Sequence, residues 1–265
     1  MPRVLIARPP GRGAQLAQLL IEAGCAVEQH PLVDLDLEQG PELADALRAL
    51  AAGDVDALVL TSRTAVEALV AMLPAGVENL TIAQAVQVVV VGDGTAAALR
   101  DAGREPDVIA AGSGAALVDA MPAPSQHRGG PPRVLFSASA AAAPTVPEGL
   151  AARGWEVRTV VAYRPRSLDL PEAAAARLRA GQYAALIATS PMIARRAAEL
   201  GTPPTTPVVV IGAPTEAAAT ASGLRVAARA AAPTDAALAT ATRQVLAAGE
   251  GTNAPLDAPR PGPEG

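Results

Sequence analysis

Two pairs of hydroxyl residues, Thr61–Ser62 and Thr189–Ser190, carry the clearest chemical signal in this 265-residue chain. Each closes a short apolar run, ALVL in one case and ALIA in the other, and opens a segment of helical spacing. Hydroxyls at such a junction stand beside the unpaired N–H groups of a helix start, which suits a carboxylate or a phosphate. The same position also suits plain N-capping, in which the side chain accepts a backbone N–H and stabilises the helix by about 1 kcal/mol. A second matched set is Gly92-Asp-Gly-Thr95 and Gly212-Ala-Pro-Thr215. Here glycine allows a tight turn at a strand end, and threonine either caps the helix or touches a ligand. Ser113 and Thr234 repeat the helix-start hydroxyl. Arg8, Arg63, Arg164 and Arg166 lie near strand ends, where a guanidinium can grip a carboxylate through two hydrogen bonds. Arg48, Arg177, Arg179 and Arg243 read as solvated helix faces. The last candidate is Tyr163, one of two tyrosines in the chain.

Other chemistries are excluded by what is missing. All 21 basic residues are arginine, so there is no Schiff-base lysine and no P-loop lysine. Neither glycine loop reads GxGxxG, and no acidic residue follows at ribose spacing, so no nucleotide cofactor is expected. A single cysteine, Cys25, excludes an intrachain disulfide and reads as a buried structural thiol. His30 and His127 stand in no metal-ligand spacing, and no metal is expected. His127 sits in a solvated loop by composition, whereas His30 precedes Pro31 at the end of an extended run. A net charge of −5 argues against a general nucleic-acid or anionic-membrane partner, though a local cleft can still hold an anionic small molecule. The opening MPRVLIARPP has no signal-peptide pattern and no apolar run is long enough to span a bilayer, so a cytoplasmic protein is expected.

The elements that must position these residues follow from the apolar pattern. Short apolar runs at 3–8, 57–62, 87–92, 107–111 and 133–137 read as strands, and the segments 14–23, 41–52, 65–73, 95–102 and 115–121 read as helices. Such alternation predicts a parallel, doubly wound α/β architecture of the flavodoxin or Rossmann kind. Runs such as VVVV at 88–91 are apolar on both faces, as a strand covered by helices on both sides requires. Ala123 to Pro132 reads as a loop, and the stretch from Gly249 reads as disordered.

After that loop the pattern starts again. RVLFS at 133–137 answers RVLIA at 3–7, and Gly154 and Val157 answer Gly24 and Val27 at the same offset. Thr189–Ser190 answers Thr61–Ser62, and Gly212, Thr215 and Gly223 answer Gly92, Thr95 and Gly103. The chain is a tandem duplication. Within it, EVRTVVAYRPRS at 156–167 reads as one strand of about 35–40 Å at roughly 3.3 Å per residue, long enough to leave one domain and enter another. Its twin in the first half is AVEQHPLVDLDL at 26–37. Two such strands supply a pair of crossovers between two domains.

On these motifs the chain resembles the uroporphyrinogen-III synthase family over roughly residues 3–246. The carriers are VLIARPP, the PLVDLD crossover, DALVLTSRTAVEAL, VVVVGDGTAAALRDAGREPDVI, VVAYRP, LIATSP, VVVIGAPTEAAATASGL and APTDAAL. The resemblance implies two similar α/β domains joined by a two-stranded ladder: a discontinuous domain of 1–33 plus 166–249 and an inserted domain of 36–161. It implies a monomeric enzyme without metal or cofactor that closes the linear tetrapyrrole hydroxymethylbilane into uroporphyrinogen III. Water is lost and ring D inverts, through a spirocyclic intermediate. The eight substrate carboxylates would be held by helix-start N–H groups, hydroxyls and a few arginines. Tyr163 matches the family's tyrosine after the second crossover, a proton or hydrogen-bond donor to the leaving hydroxyl, and Thr215 matches a substrate-contacting threonine. The chain departs from the family pattern at Ala143, Thr64 and Ala184, where arginine, asparagine and aspartate are usual. A non-catalytic tetrapyrrole- or anion-sensing module on the same scaffold, or a two-lobed small-molecule binder, are the readings from other classes.

Overall fold

Strands and helices alternate along the chain, and the computed structural model describes residues 1–122 and 130–251. The first half contains β1 (Arg3–Ile6), α1 (Ala14–Glu22), β2 (Ala26–Gln29), β3 (Val33–Leu37), α2 (Pro41–Ala52), β4 (Ala57–Leu60), α3 (Arg63–Ala71), β5 (Gln87–Val91), α4 (Gly92–Asp101), β6 (Val108–Ala110) and α5 (Gly114–Ala120). The second contains β7 (Arg133–Ser139), α6 (Thr145–Ala152), β8 (Glu156–Ser167), α7 (Glu172–Arg179), β9 (Ala185–Ala188), α8 (Pro191–Glu199), β10 (Val208–Val210), α9 (Ala213–Ala221), β11 (Val226–Arg229) and α10 (Asp235–Gly251). His127 and most of the loop at 123–132 fall outside the described residues, as does the sequence after Gly251. No described helix is long and apolar enough to cross a membrane.

The strands form two sheets. One has the order β11-β10-β9-β1-β2 and the other β3-β8-β7-β4-β5-β6. Every pairing from β8 to β6 in the second sheet is parallel, as are all those of the first. The duplication is visible in this order: β2-β1-β9-β10-β11 and β8-β7-β4-β5-β6 carry the corresponding motifs in corresponding places. The first sheet thus draws two strands from the first half of the sequence and three from the second; the other draws two from the second half and three from the first, with β3 added at its edge. The shared order is that of doubly wound flavodoxin-like sheets.

The chain separates into two compact units, one holding Met1–Asp34 with the described residues from Ser167 on, the other Leu35–Arg166. In the first unit Val4, Ile6, Leu16, Leu20, Ile187, Val209 and Leu238 form a core between the sheet, α1 and α10. In the second unit both faces of the sheet are covered. Leu58, Leu60, Val88, Val90 and Leu135 pack against α2, α3 and α4, while Val59, Val89, Val134 and Phe136 pack against α5 and α6. That two-sided burial is why β4 and β5 read as unbroken apolar runs rather than alternating ones.

The run 26–37 is not one strand. It breaks at His30-Pro31-Leu32 into β2, which pairs with β1, and β3, which lies beside β8 in the other sheet. Pro31 has no N–H to donate to a ladder, so the strand stops where a proline enters it. Glu38 N–H donates to the carbonyl of Ala162 at 2.8 Å and Leu168 N–H to that of Leu32 at 2.9 Å. One sequence rises as the other falls, so β3 and β8 run antiparallel, unlike the rest of their sheet. β8 itself is continuous over all twelve residues.

Candidate active site

Because all strands but β3 run the same way within their sheet, their carboxyl ends share one rim in each unit, the usual place for a ligand in an open α/β sheet. On the rim of the Leu35–Arg166 unit stand Thr61–Ser62 after β4, Gly92–Thr95 after β5, Ser113 after β6, and Tyr163 near the end of β8. On the rim of the other unit stand Arg8 after β1, Thr189–Ser190 after β9, Gly212–Thr215 after β10, and Thr234 after β11.

The hydroxyls at the helix starts act as caps. Ser62 Oγ accepts the N–H of Ala65, Ser190 Oγ that of Ile193, Ser113 Oγ that of Ala116, and Thr234 Oγ1 that of Ala237, all at 3.1–3.2 Å. Each cap uses one of the orphan donors of its helix and leaves the others to the rim. The two Thr-Ser turns then differ. After Ser62 come Arg63 and Thr64, both with N–H groups. After Ser190 comes Pro191, which has none, so α8 offers one donor fewer than α3.

Thr95 and Thr215 are neither caps nor exposed contacts. Both are buried, at 5% and 2% exposure. α4 begins at Gly92, earlier than its spacing predicts, which places Thr95 in the first turn with its side chain facing inward. Gly212 is the N-cap of α9, and its carbonyl accepts the N–H of Thr215 at 3.1 Å. The two glycines also differ. Gly92 has φ 72°, a left-handed conformation that favours glycine, whereas Gly212 at φ −175° is ordinary extended backbone.

Three of the four rim arginines are engaged. Arg8 Nη1 lies 2.7 Å from Asp235 Oδ1, with the two side chains 13% and 18% exposed. Arg164 pairs with Glu38, and Arg166 Nε stands 3.2 Å from Asp36 Oδ2, tying β8 to β3. Arg63 reaches along the rim towards Gly94, whose Cβ, if it had one, would meet Arg63 Nη2 at 3.5 Å. Tyr163 follows a β-bulge: Ala138 faces Val161 but Ser139 faces Tyr163, so Ala162 is the extra residue. The bulge turns Tyr163 onto the face of Val160 and Ala162, where its half-buried ring packs on the core under α2 and α3.

Arg177 is not a solvated helix residue. It meets Glu28 of β2 at 3.0 Å, and the same carboxylate accepts the hydroxyl of Tyr183 at 2.6 Å and is paired with Arg3. His30 Nε2 stands 3.5 Å from it. Burial alone would raise the Glu28 carboxyl, but the hydrogen bonds from Tyr183, Arg3 and Arg177 outweigh it and hold the group at about 2. Burial and the bond to Glu28 push the Tyr183 phenol up. Burial likewise raises the Cys25 thiol, against a smaller opposing pull from Arg243, as fits an inert interior thiol. This cluster lies away from the rim and joins β1, β2 and α7. Nothing in the sequence brings Glu28 and Tyr183 together, since they are 155 positions apart; a glutamate within AVEQ reads as solvated.

The family model described as uroporphyrinogen-III synthase HemD matches residues 14–240. The chain belongs to the uroporphyrinogen-III synthase family. No curated protein matches it. Its fold is similar to a mutant uroporphyrinogen III synthase from the extremely thermophilic bacterium Thermus thermophilus, with 20% identity, a TM-score of 0.65, and coverage of 94% of this chain and 100% of that one. It is also similar to uroporphyrinogen-III synthetase from Helicobacter pylori, with 16% identity, a TM-score of 0.61, and coverage of 90% and 96%. As in other members of the uroporphyrinogen-III synthase family, the activity lies in tetrapyrrole biosynthesis and the substrate is a small-molecule tetrapyrrole.

Proposed function

We infer that this chain cyclises hydroxymethylbilane to uroporphyrinogen III, with loss of water and inversion of ring D. The observation that carries the reading is the family match over residues 14–240. The rims support it, because two similar sets of helix starts and hydroxyls suit a ligand that is acidic around its whole periphery. The covalent demand on the protein is small. An electron-rich pyrrole nitrogen pushes out its own hydroxymethyl oxygen; the C–O bond breaks, and the oxygen leaves as water once a proton reaches it. The protein has to donate that proton and hold the chain so that the ring-D carbon already joined to the chain is attacked, giving the spirocycle, rather than the free ring-D position that closes spontaneously to type I. Tyr163 is the donor in this reading. Its ring is fixed by packing, and no hydrogen bond engages its hydroxyl among the described residues. Ser62, Thr61, Ser113 and the first turns of α3 and α4 bind carboxylates in one unit; Thr189, Ser190, Gly212 and Thr234 do so in the other. Thr95 and Thr215 support these turns from beneath. Arg8 contributes only in exchange for Asp235. The enzyme works as a cytoplasmic monomer without nucleic-acid or membrane partners, in keeping with its acidic balance.

The test supplies freshly made hydroxymethylbilane and separates the ring isomers formed. Type III in excess over the spontaneous type I supports the reading. Type I alone refutes it and leaves a non-catalytic tetrapyrrole-binding role.

A further inference from the structure

Ser137 sits in the middle of β7, fully buried, and its hydroxyl has no hydrogen-bond partner among the described residues. It lies between Leu60 of β4 and Val160 of β8 in the ladder, on the face covered by α2, α3 and α4. A buried hydroxyl without a partner costs free energy that alanine at the same place would not. The duplicated sequence contains that control. The equivalent residue of the other unit is Ala7, also fully buried, in RVLIA against RVLFS. The fold therefore does not ask for serine here.

A second substitution between the repeats accompanies the first. Leu60, beside Ser137, leads directly into Thr61-Ser62-Arg63-Thr64, and α3 packs against both β4 and β7. Thr64 is buried in the first turn of α3. Its counterpart in Thr189-Ser190-Pro191-Met192 is Met192. The Leu35–Arg166 unit thus has two interior hydroxyls, Ser137 and Thr64, at positions where the other unit has two apolar residues, Ala7 and Met192. Ser137 is paired in the ladder with Leu60, four residues before Thr64, and α3 packs on both of their strands.

We propose that Ser137 is a positioning residue for the reaction: with Thr64 it holds one internal water beneath the first turn of α3, and that water sets the Thr61–Ser62 turn for a substrate carboxylate. A buried water needs two or more polar partners, and the two hydroxyls supply them. Ser137 is closed off from solvent, so it acts on substrate through α3 and not by contact. The proposal rests on the rim of this unit binding the tetrapyrrole, as in the function inferred above.

The test compares wild type with Ser137→Ala, Thr64→Val and the double variant, reading melting temperature, KM for hydroxymethylbilane and kcat for type III product. Wild-type formation of type III is measured first; its absence refutes the functional reading and not this one alone. With an active wild type, Ser137→Ala is expected to melt at the same temperature or higher, yet to raise KM about five- to tenfold with kcat nearly kept. Thr64→Val is expected to raise KM to a similar degree, and the double variant no further, because one water serves both. An unchanged KM in Ser137→Ala overturns the proposal, as does a double variant whose effect is the product of the two singles. Should Thr64→Val fold poorly, the opposite movement of stability and KM in Ser137→Ala still decides.

Discussion

Replacing Glu28 by glutamine tests how much of the Met1–Asp34 and Ser167-onward unit is held by one carboxylate. Glutamine keeps the shape and can still accept from Tyr183, but loses the charge facing Arg3 and Arg177. Glu28 is depressed from an ordinary 4.5 to about 2, and its side chain is only 18% exposed, so screening by solvent takes little away. At about 1.4 kcal/mol per tenfold in proton affinity, the ionised form contributes roughly 3 kcal/mol to folding. The group is more acidic folded than unfolded. Its contribution is therefore complete above about pH 5 and is lost as pH falls towards 2, with about half gone near pH 3. Urea unfolding followed by far-UV circular dichroism should show Glu28→Gln less stable than wild type by roughly 3 kcal/mol at pH 7, consistent with breaking a partly buried charge network. The gap should shrink to about half near pH 3. A gap that stays constant with pH would show that the loss is packing and not charge, and would refute the reasoning.

Two further outcomes are expected. Tyr163→Phe keeps the ring that packs on the core, so melting should be unchanged while the rate of type III formation falls by about 10²-fold, the lower range of a single proton donor; an unchanged rate removes Tyr163 from the chemistry. Gly92→Ala should destabilise by about 1–2 kcal/mol through its positive φ alone, since nothing lies within 4 Å of the added methyl. Gly212→Ala, from extended backbone, should be nearly neutral, and equal losses at the two sites in thermal melts would contradict the backbone argument.

Local signals carry most of the fold. The apolar runs ALVL, VVVV and ALIA are strands because both their faces are buried, and a run of that kind is legible without knowing its neighbours. The duplication is legible in RVLIA and RVLFS and is seen again in the matching strand orders. What fails needs tertiary knowledge. AVEQHPLVDLDL has the composition of a strand on both sides of Pro31; the proline is a visible place to stop a ladder, but that the two ends pair in different sheets is not legible from the run itself. The hydroxyls of Ser62, Ser190, Ser113 and Thr234 are visible as helix-start residues, and each is seen capping. Thr95 and Thr215 look the same in sequence, but the helices begin a few residues earlier and turn them inward. Arg177 reads as solvated because its partner, Glu28, lies 149 positions away.

The interleaving of the two halves bears on how the protein is made. All strands of the Leu35–Arg166 unit are consecutive in the chain, so this unit can close while the ribosome is still adding residues. The other unit cannot. β1 lies inside its sheet, between β2 and β9, and emerges first, but its neighbour β9 begins only at Ala185. At about 5–20 residues per second, one apolar edge of β1 waits roughly 10–40 s for its partner. During that interval Val4, Leu5 and Ile6 form an unpaired strand edge on the nascent chain, the kind of surface that invites wrong pairing. The inserted unit is thus the early, self-sufficient folder. The unit that contains β1 is the one whose yield depends on translation speed and on whatever shields that edge until β9 arrives.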